Sequence, residues 1–366
     1  MLRIVLIIFM LICNINFLKA RVSGPCSDCH TMHNSQDNSV IISSTQRYLL
    51  KKTCTGCHTG TNVIGEKTPY VYDPSGPSYN SNTLAGGNFY WVLQDSNKGH
   101  NCLSIPGMAQ DENLTQAPGW HGTNSPVNCG VCHSGHTGGG VYPQGAHGDT
   151  NVCFSCHKRI SSCESCHKPA HHADDTAGGL IGEAQGWYRF LISPNHPDPV
   201  TGVKGIEDSD WELTHSSSDH NEYYGSSNPD GSPDNSISHF CAGCHGYFHG
   251  IVQSANNNGH SPWLRHPTNV AIPNSGEYRL YNTQDGTTTG PFSNLAPVAR
   301  DPSAITSMTG PSSTVTPGQD QVMCLSCHRA HGSPYPDVMR WDYSQCSAGT
   351  QNSNCGCFVC HTAKDD

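Results

Sequence analysis

Eight copies of the pattern Cys-x-x-Cys-His constrain this chain more than any other feature of its sequence. The pattern is the attachment signature of c-type haem, in which two thiols add to the porphyrin vinyl groups and the adjacent histidine ligates the iron. Structural zinc sites are the alternative for paired cysteines, but they do not require a histidine directly after every second cysteine. The sequence therefore predicts eight covalently bound c-type haems. The predicted attachment cysteines and proximal histidines are, motif by motif, Cys26, Cys29 and His30; Cys54, Cys57 and His58; Cys129, Cys132 and His133; Cys153, Cys156 and His157; Cys163, Cys166 and His167; Cys241, Cys244 and His245; Cys324, Cys327 and His328; and Cys357, Cys360 and His361.

The rest of the composition argues against an ordinary apolar core. Hydrophobic residues make up only 35% of the 366 residues, and the chain contains 38 glycines and 24 prolines. Helical periodicity is weak, and long segments rich in Gly, Asn, Ser and Thr separate several motifs. We therefore expect a multihaem cytochrome c fold, in which mostly irregular coil, short helices and a few short strands wrap around a continuous haem stack. One of these strands is expected at residues 88–93.

The N-terminus predicts export. Arg3 precedes an apolar run from Ile4 to Ile12, and Ala20 offers a small residue for cleavage, so residues 1–20 resemble a signal peptide. The apolar run is too short for a confident transmembrane anchor. Residues 21–366 are then expected to form one elongated haem-binding unit outside the cytoplasm. The net charge of −10 and the absence of a basic patch argue against a nucleic-acid partner.

The histidine count bears on the second axial ligand of each iron. Fifteen histidines remain after the eight motif histidines are subtracted from 23, so histidine can supply both ligands of all eight irons. Haems with two histidine ligands have no open position, and a methionine ligand in their place would raise the reduction potential. The predicted second ligands are His33, His100, His121, His136, His147, His172, His220, His249, His266 and His331. The remaining five, His171, His196, His215, His239 and His260, are expected to face solvent or to support other ligands.

Four of these predicted ligands follow a motif histidine by only three or four residues: His33, His136, His249 and His331. A side chain so close to the proximal histidine cannot easily fold over its own haem. We therefore expect it to reach the iron of a neighbouring haem and to lock two haems together.

Three cysteines of the expected mature chain lie outside the motifs. Cys346 and Cys355 flank a short polar loop and are predicted to form a disulfide in an oxidising compartment. Cys355 also stands two residues before Cys357 and could compete with it for the haem. Cys102 is then expected to be unpaired, either buried or linking subunits.

Three stretches resemble the outer-surface, filament-forming multihaem cytochromes of metal-reducing bacteria. They are residues 29–35 (CHTMHNS), 240–245 (FCAGCH) and 324–331 (CLSCHRAH), and the likeness covers the first motif and about residues 240–366. The resemblance implies alternating parallel and T-shaped haem pairs, an extracellular location, and a head-to-tail filament. It also implies that His33 ligates a haem of the next subunit, although His33 could equally ligate a haem of its own chain.

Three functions are compatible with these features. The first is an extracellular electron conduit that polymerises; the second is a discrete periplasmic or outer-surface electron carrier. Other cytochromes or mineral acceptors would be the redox partners of either. The third is a multihaem reductase, which needs an iron with an open position. All eight motifs end in histidine and spare histidines are plentiful, so we expect an electron-transfer protein with no catalytic residue.

Overall fold

The computed structural model describes residues 26, 30, 35–36, 39–40, 53–66, 68–79, 83–111, 114, 117–118, 160, 162–168, 171, 179–182, 187–192, 202–228, 234–245, 266–283 and 290–364. These ranges include five complete haem motifs and part of the first. The expected signal peptide and the third and fourth motifs lie outside them. So do the histidines at 33, 121, 136, 147, 172, 196, 249 and 260.

Within these ranges the elements of secondary structure are few and short, as the sequence predicted. The helices are α1 (Tyr90–Gln94), α2 (Ile237–His245), α3 (Pro302–Ile305) and α4 (Cys357–Cys360). The strands are β1 (Ser35–Gln36), β2 (Ser39–Val40), β3 (Gly205–Ile206), β4 (Glu222–Tyr224), β5 (Val270–Ala271), β6 (Ala299–Arg300) and β7 (Gln321–Val322). Single turns of 3₁₀ helix occupy Cys54–Gly56, Ser96–Lys98, Cys163–Ser165, Tyr188–Phe190, Gly276–Leu280, Cys324–Ser326, Pro336–Val338 and Tyr343–Gln345.

The strand expected at residues 88–93 is wrong, because helix α1 occupies most of this segment. The Asn88 side-chain carbonyl accepts hydrogen bonds from the backbone N–H of Tyr90 (3.0 Å) and of Asp73 (3.1 Å). An Asn side chain that binds the backbone two residues ahead bends the chain into a turn. The bend starts the helix and directs Phe89 and Val92 into a buried cluster.

Five of the strands form one small sheet in the order β3-β4-β6-β7-β5. Strands β4 and β6 run parallel, while the other neighbours are antiparallel. Strand β7 leads directly through Met323 into the seventh motif. The sheet therefore anchors the turn of the seventh motif.

In the part of the chain that the structure describes, buried apolar side chains fall into three separate clusters, and two of them pack against motif cysteines. The first cluster, around Tyr281 and Trp341, packs against Cys327, Cys357 and Cys360. The third, around Phe89 and Ile105, packs against Cys163. The second consists of Tyr188, Val203, Tyr223, Ile237, Ala299 and Met323. This division agrees with the expectation that the chain lacks a single ordinary apolar core.

A buried charge network crosses the sheet. The Arg300 guanidinium on β6 donates to Glu222 on β4 (Nε–Oε2, 2.5 Å) and to Asp320 just before β7 (Nη1–Oδ2, 2.7 Å). His220 adds a bond from its Nε2 to Glu222 Oε1 at 2.8 Å. Because these carboxylates are buried, their charges depend on Arg300 for compensation.

Two further expectations concern covalent cross-links and the membrane. Cys346 and Cys355 form the predicted disulfide, with Cα atoms 5.4 Å apart. Cys102 is a free thiol and is 1% exposed, which is one of the two roles expected for it. None of the helices in the described ranges has the length and apolarity needed to cross a bilayer.

We predict that Arg300→Met destabilises the folded protein by about 3–5 kcal/mol, because Glu222 and Asp320 lose the charge that compensates them. The measurement is the denaturant concentration at the midpoint of unfolding of the haem-loaded protein, with circular dichroism as the signal. Arg279→Met, at an exposed position, is the matched control. Equal losses in the two variants would contradict a structural role for the network.

Candidate haem sites

Each described motif forms the same tight turn. The backbone N–H of the motif histidine donates to the carbonyl of the first cysteine, four residues earlier. The distances are 2.8 Å for His30, 2.9 Å for His58, His167 and His361, and 3.2 Å for His328. The sixth motif lies in the last turns of helix α2. One such turn brings two thiols and an imidazole to the same side of the backbone, which is what attachment to one porphyrin requires.

Burial keeps several of the motif thiols protonated. It raises the pKa of Cys166, Cys327 and Cys360 to about 12 in each case. Each of these is the second cysteine of its motif. They are therefore neutral thiols near pH 7, the form that carries the hydrogen needed for addition to a vinyl group.

The Nδ1 atom of every motif histidine in the five complete described motifs is held by an oxygen atom. A nitrogen donating to a carbonyl or carboxylate fixes the tautomer and orientation of the ring, so Nε2 is left to bind a metal. The acceptors and distances are Pro69 O for His58 (2.8 Å), Arg189 O for His167 (2.8 Å), Pro118 O for His245 (2.7 Å), Asp337 O for His328 (2.9 Å) and Glu277 Oε1 for His361 (3.2 Å).

The fifth and seventh motifs share a second local structure that supplies this acceptor. In each, the carbonyl belongs to a pair of left-handed residues, Arg189 and Phe190 (φ 47° and 56°) or Asp337 and Val338 (φ 57° and 60°). The next residue pairs back with the motif histidine, as His167 with Leu191 and His328 with Met339. Two consecutive left-handed residues without glycine are rare, so no sequence pattern predicts this turn.

Four of the motif histidines face another histidine across a gap. The ring centroids lie 6.3 Å apart for His58 and His171, 5.9 Å for His100 and His245, 6.1 Å for His167 and His331, and 6.3 Å for His266 and His361. A tightly stacked pair lies closer, as His220 and Phe292 do at 3.6 Å. An iron bound to both Nε2 atoms at about 2 Å separates the two centroids by about 6 Å. The donor set and its spacing therefore fit a six-coordinate haem iron in all four pairs.

Two of the partner histidines, His100 and His266, are oriented through Nδ1 much as the motif histidines are. His100 bonds through Nδ1 to Ala330 O (2.6 Å), and His266 bonds to Pro267 O (3.0 Å). His331 stacks on Phe89 at 4.8 Å. Burial lowers the pKa of His331 to about 3 and that of the sixth-motif histidine His245 to about 4. Both rings are neutral near pH 7, as metal ligation requires.

The space beside His331 depends on a glycine. A Cβ atom at Gly86 would lie 3.0 Å from the His331 Nδ1 atom. The backbone also joins these segments, because the His331 N–H donates to Gly86 O at 2.7 Å. The position of this imidazole is therefore set by a segment 245 residues away in sequence.

Among the predicted second ligands, the structure describes His100, His220, His266 and His331. Three of them lie opposite a motif histidine, but His220 does not. Its Nδ1 bonds to Ser216 O (3.1 Å) and its Nε2 to Glu222 Oε1 (2.8 Å). With both ring nitrogens engaged by the protein, His220 belongs to the charge network and not to a haem site.

His171 is the functional candidate that the sequence reasoning missed. It was expected to face solvent or to support other ligands; it is exposed, but its ring also lies opposite His58 of the second motif. His171 follows His167 by four residues, the same spacing that selected His249 after His245. Applied to the fifth motif, that spacing rule would have chosen His171 in place of the adjacent His172.

Cysteines of different motifs are close neighbours. A hydrogen bond with Cys163 raises the pKa of the Cys54 thiol well above its ordinary value, and a hydrogen bond with Cys324 does the same for Cys241. Cys166 interacts electrostatically with Cys244, and Cys327 with Cys357 and Cys360. The described motifs are thus adjacent in the order two, five, six, seven, eight.

Comparisons with known proteins agree with these sites. A family model described as a doubled CXXCH motif matches residues 316–366, which contain the seventh and eighth motifs. The C-type cytochrome OmcS of Geobacter sulfurreducens is 26% identical over 368 residues, which cover 87% of this chain and 78% of that protein. The chain thus resembles a multihaem c-type cytochrome in sequence over most of its length.

Solved structures give the same result for the fold. The outer membrane cytochrome S filament from Geobacter sulfurreducens matches with a TM-score of 0.51 and 21% identity, over 91% of this chain and 87% of that chain. These comparisons confirm the predicted resemblance to the outer-surface, filament-forming multihaem c-type cytochromes, and they show the multihaem cytochrome fold for this chain.

Proposed function

We propose that this protein carries eight c-type haems with two histidine ligands each and conducts electrons along them in a head-to-tail extracellular filament. The observation that carries the proposal is the set of four histidine pairs, each spaced for one iron. Each pair joins a motif histidine to a histidine from elsewhere in the chain. Such sites transfer electrons but leave no position for a substrate.

We propose that the described pairs supply both ligands of four irons. They are His58 with His171, His167 with His331, His245 with His100, and His361 with His266. The other four motif histidines are His30, His133, His157 and His328. The predicted second ligands that remain for these irons are His33, His121, His136, His147, His172 and His249, all outside the described residues.

The residues of the chain have three tasks in this function. The bound haem supplies one-electron chemistry at its iron. The motif cysteines hold each porphyrin through two thioethers, so its edge stays at a fixed distance from the next. The Nδ1 hydrogen bonds keep each imidazole oriented and strengthen it as a ligand. Two histidine ligands also keep the potentials lower than a histidine–methionine pair would.

The neighbouring cysteines support a defined electron path. The thiols of Cys54 and Cys163 lie within hydrogen-bonding reach, as do those of Cys241 and Cys324. Thioethers at these positions bring the porphyrins of motifs two and five, and of motifs six and seven, close together. We therefore propose that electrons pass through motifs two, five, six, seven and eight, an order that follows space rather than sequence.

The histidine pairs also connect the sites mechanically. His171 follows the fifth motif but faces the second, and His331 follows the seventh but faces the fifth. One short segment thus ligates one haem and carries another. This agrees with the expectation that such histidines serve neighbouring haems, and it makes the line of haems rigid.

Assembly into a filament is the part of the proposal that draws on the relative of known structure. A contact between two different surfaces of one chain forms an open filament when its rotation does not close. We propose that His33 reaches from the first motif to a haem of the next subunit. The location is extracellular, after removal of residues 1–20 and passage through the periplasm, and residues 21–366 form one unit. A discrete carrier with the same haems is the alternative.

We predict that His331→Ala converts one haem of eight to the high-spin form, because the iron held by His167 loses its second ligand. The high-spin ferric signal in electron paramagnetic resonance measures this change, with His215→Ala at an exposed position as the control. In His331→Met the iron should stay low-spin and its potential should rise. A His331→Ala protein that remains entirely low-spin would contradict the assignment of His331 as the second ligand of this iron.

We predict that the haem-loaded wild-type protein forms filaments with a subunit repeat in negative-stain electron microscopy. His33→Ala should give discrete particles with the full haem content, because the link between subunits is lost, whereas His215→Ala should polymerise normally. If His33→Ala still forms filaments, His33 does not link subunits and its ligand role is confined to its own chain. Discrete wild-type particles at high concentration and all ionic strengths would leave the carrier as the function.

A further inference from the structure

Three cysteines, Cys346, Cys355 and Cys357, lie at the start of the eighth motif. Two of them, Cys355 and Cys357, could receive the same haem. Cys355 and Cys357 are separated only by Gly356, and both precede the shared pair Cys360-His361. A thiol at either position stands before the second attachment cysteine. The sequence alone therefore does not decide which of the two forms the first thioether.

The structure brings all three sulphur atoms together. Those of Cys346, Cys355 and Cys357 lie within 4.8 Å of one another. The disulfide joins Cys346 to Cys355 and leaves Cys357 as a thiol. A metal site is a poor explanation for this cluster, because disulfide sulphurs are not thiolates and only one thiol remains.

The surrounding backbone holds this arrangement in place. Cys355 N donates to Asn352 O (3.1 Å), and the Asn352 amide donates to Gln345 O (2.9 Å), which ties the two ends of the disulfide loop together. Gly356 packs against Trp341 so closely that a Cβ there would lie 2.2 Å from the ring. The backbone between the two competing cysteines is therefore fixed by packing.

Only Cys357 is in register with the proximal histidine. Cys357 is the first residue of helix α4, and its carbonyl accepts the hydrogen bond from His361 N at 2.9 Å. Cys355 lies before the helix and is 2% exposed. A haem attached through Cys355 would be held by a longer loop than in the other motifs.

We propose that the Cys346–Cys355 disulfide selects the thiol that receives the eighth haem. In thioether formation the S–H bond adds across a vinyl C=C bond: sulphur bonds to one carbon and the hydrogen goes to the other. A disulfide sulphur has no hydrogen to add, so Cys355 cannot react while it is bonded to Cys346. Cys346 is thus a residue that sets attachment specificity without touching the haem, given that the eighth motif carries one, as proposed above.

The test is the position of the thioether in the exported, haem-loaded protein, mapped by mass spectrometry of proteolytic peptides. The wild-type protein should carry haem on Cys357 and Cys360 and retain the disulfide. In Cys346→Ser, attachment at Cys357 should fall severalfold and haem should appear on Cys355. In the double variant Cys346→Ser/Cys355→Ser, attachment at Cys357 should return, because the competing thiol is gone.

Two results would overturn the inference. Attachment confined to Cys357 in Cys346→Ser would show that the disulfide does not select the thiol. Equal loss of the eighth haem in the single and double variants would show that it only supports the fold. A wild-type protein without haem on Cys357, Cys360 or Cys355 would instead contradict the proposed haem site itself.

Discussion

The structure depends on one arrangement, the approach of two imidazoles from distant parts of the chain to positions whose spacing fits one haem iron. In the pair of His331 and His167 the ligands are 164 residues apart in the sequence, and in the pair of His100 and His245 they are 145 residues apart. In each pair the ring centroids lie about 6 Å apart, which suits an iron bound to both imidazoles. An iron bound by both histidines of such a pair would link two distant segments of the chain. The thioethers would attach the same haem to the local turn of its motif.

This constraint accounts for the modest secondary structure. Strands of two or three residues and helices of one to three turns do not form a stable core alone. The apolar side chains form three small clusters, two of them beside motif cysteines, and a buried charge network fastens the sheet. The chain therefore needs only enough structure to hold each motif turn and to present the opposing histidine. Folding and haem attachment are coupled in such an arrangement, much as metal binding and folding are in small metal-binding domains.

The sequence predicted the parts of the sites that depend on local chemistry. The motif turns follow from the spacing of two thiols and a histidine, and the disulfide follows from a short polar loop between two spare cysteines. Among the predicted second ligands, His100, His266 and His331 each lie opposite a motif histidine, whereas His220 does not, and His171, which was not among them, does. The nitrogens of His220 are taken by Ser216 and Glu222, while His171 faces a motif more than a hundred residues away. Long-range packing decides the positions of both histidines. The left-handed turns at Arg189 and Asp337 were equally unpredictable, because the sequence has no glycine at those positions.

The most direct test is a cryo-electron microscopy map of the haem-loaded protein that resolves the porphyrins. The account predicts one iron between the facing Nε2 atoms of His58 and His171, His100 and His245, His167 and His331, and His266 and His361, at about 2 Å from each nitrogen. It also predicts porphyrin edges in near contact along motifs two, five, six, seven and eight. Irons with a single histidine ligand at these positions, or a line of haems in another order, would contradict it.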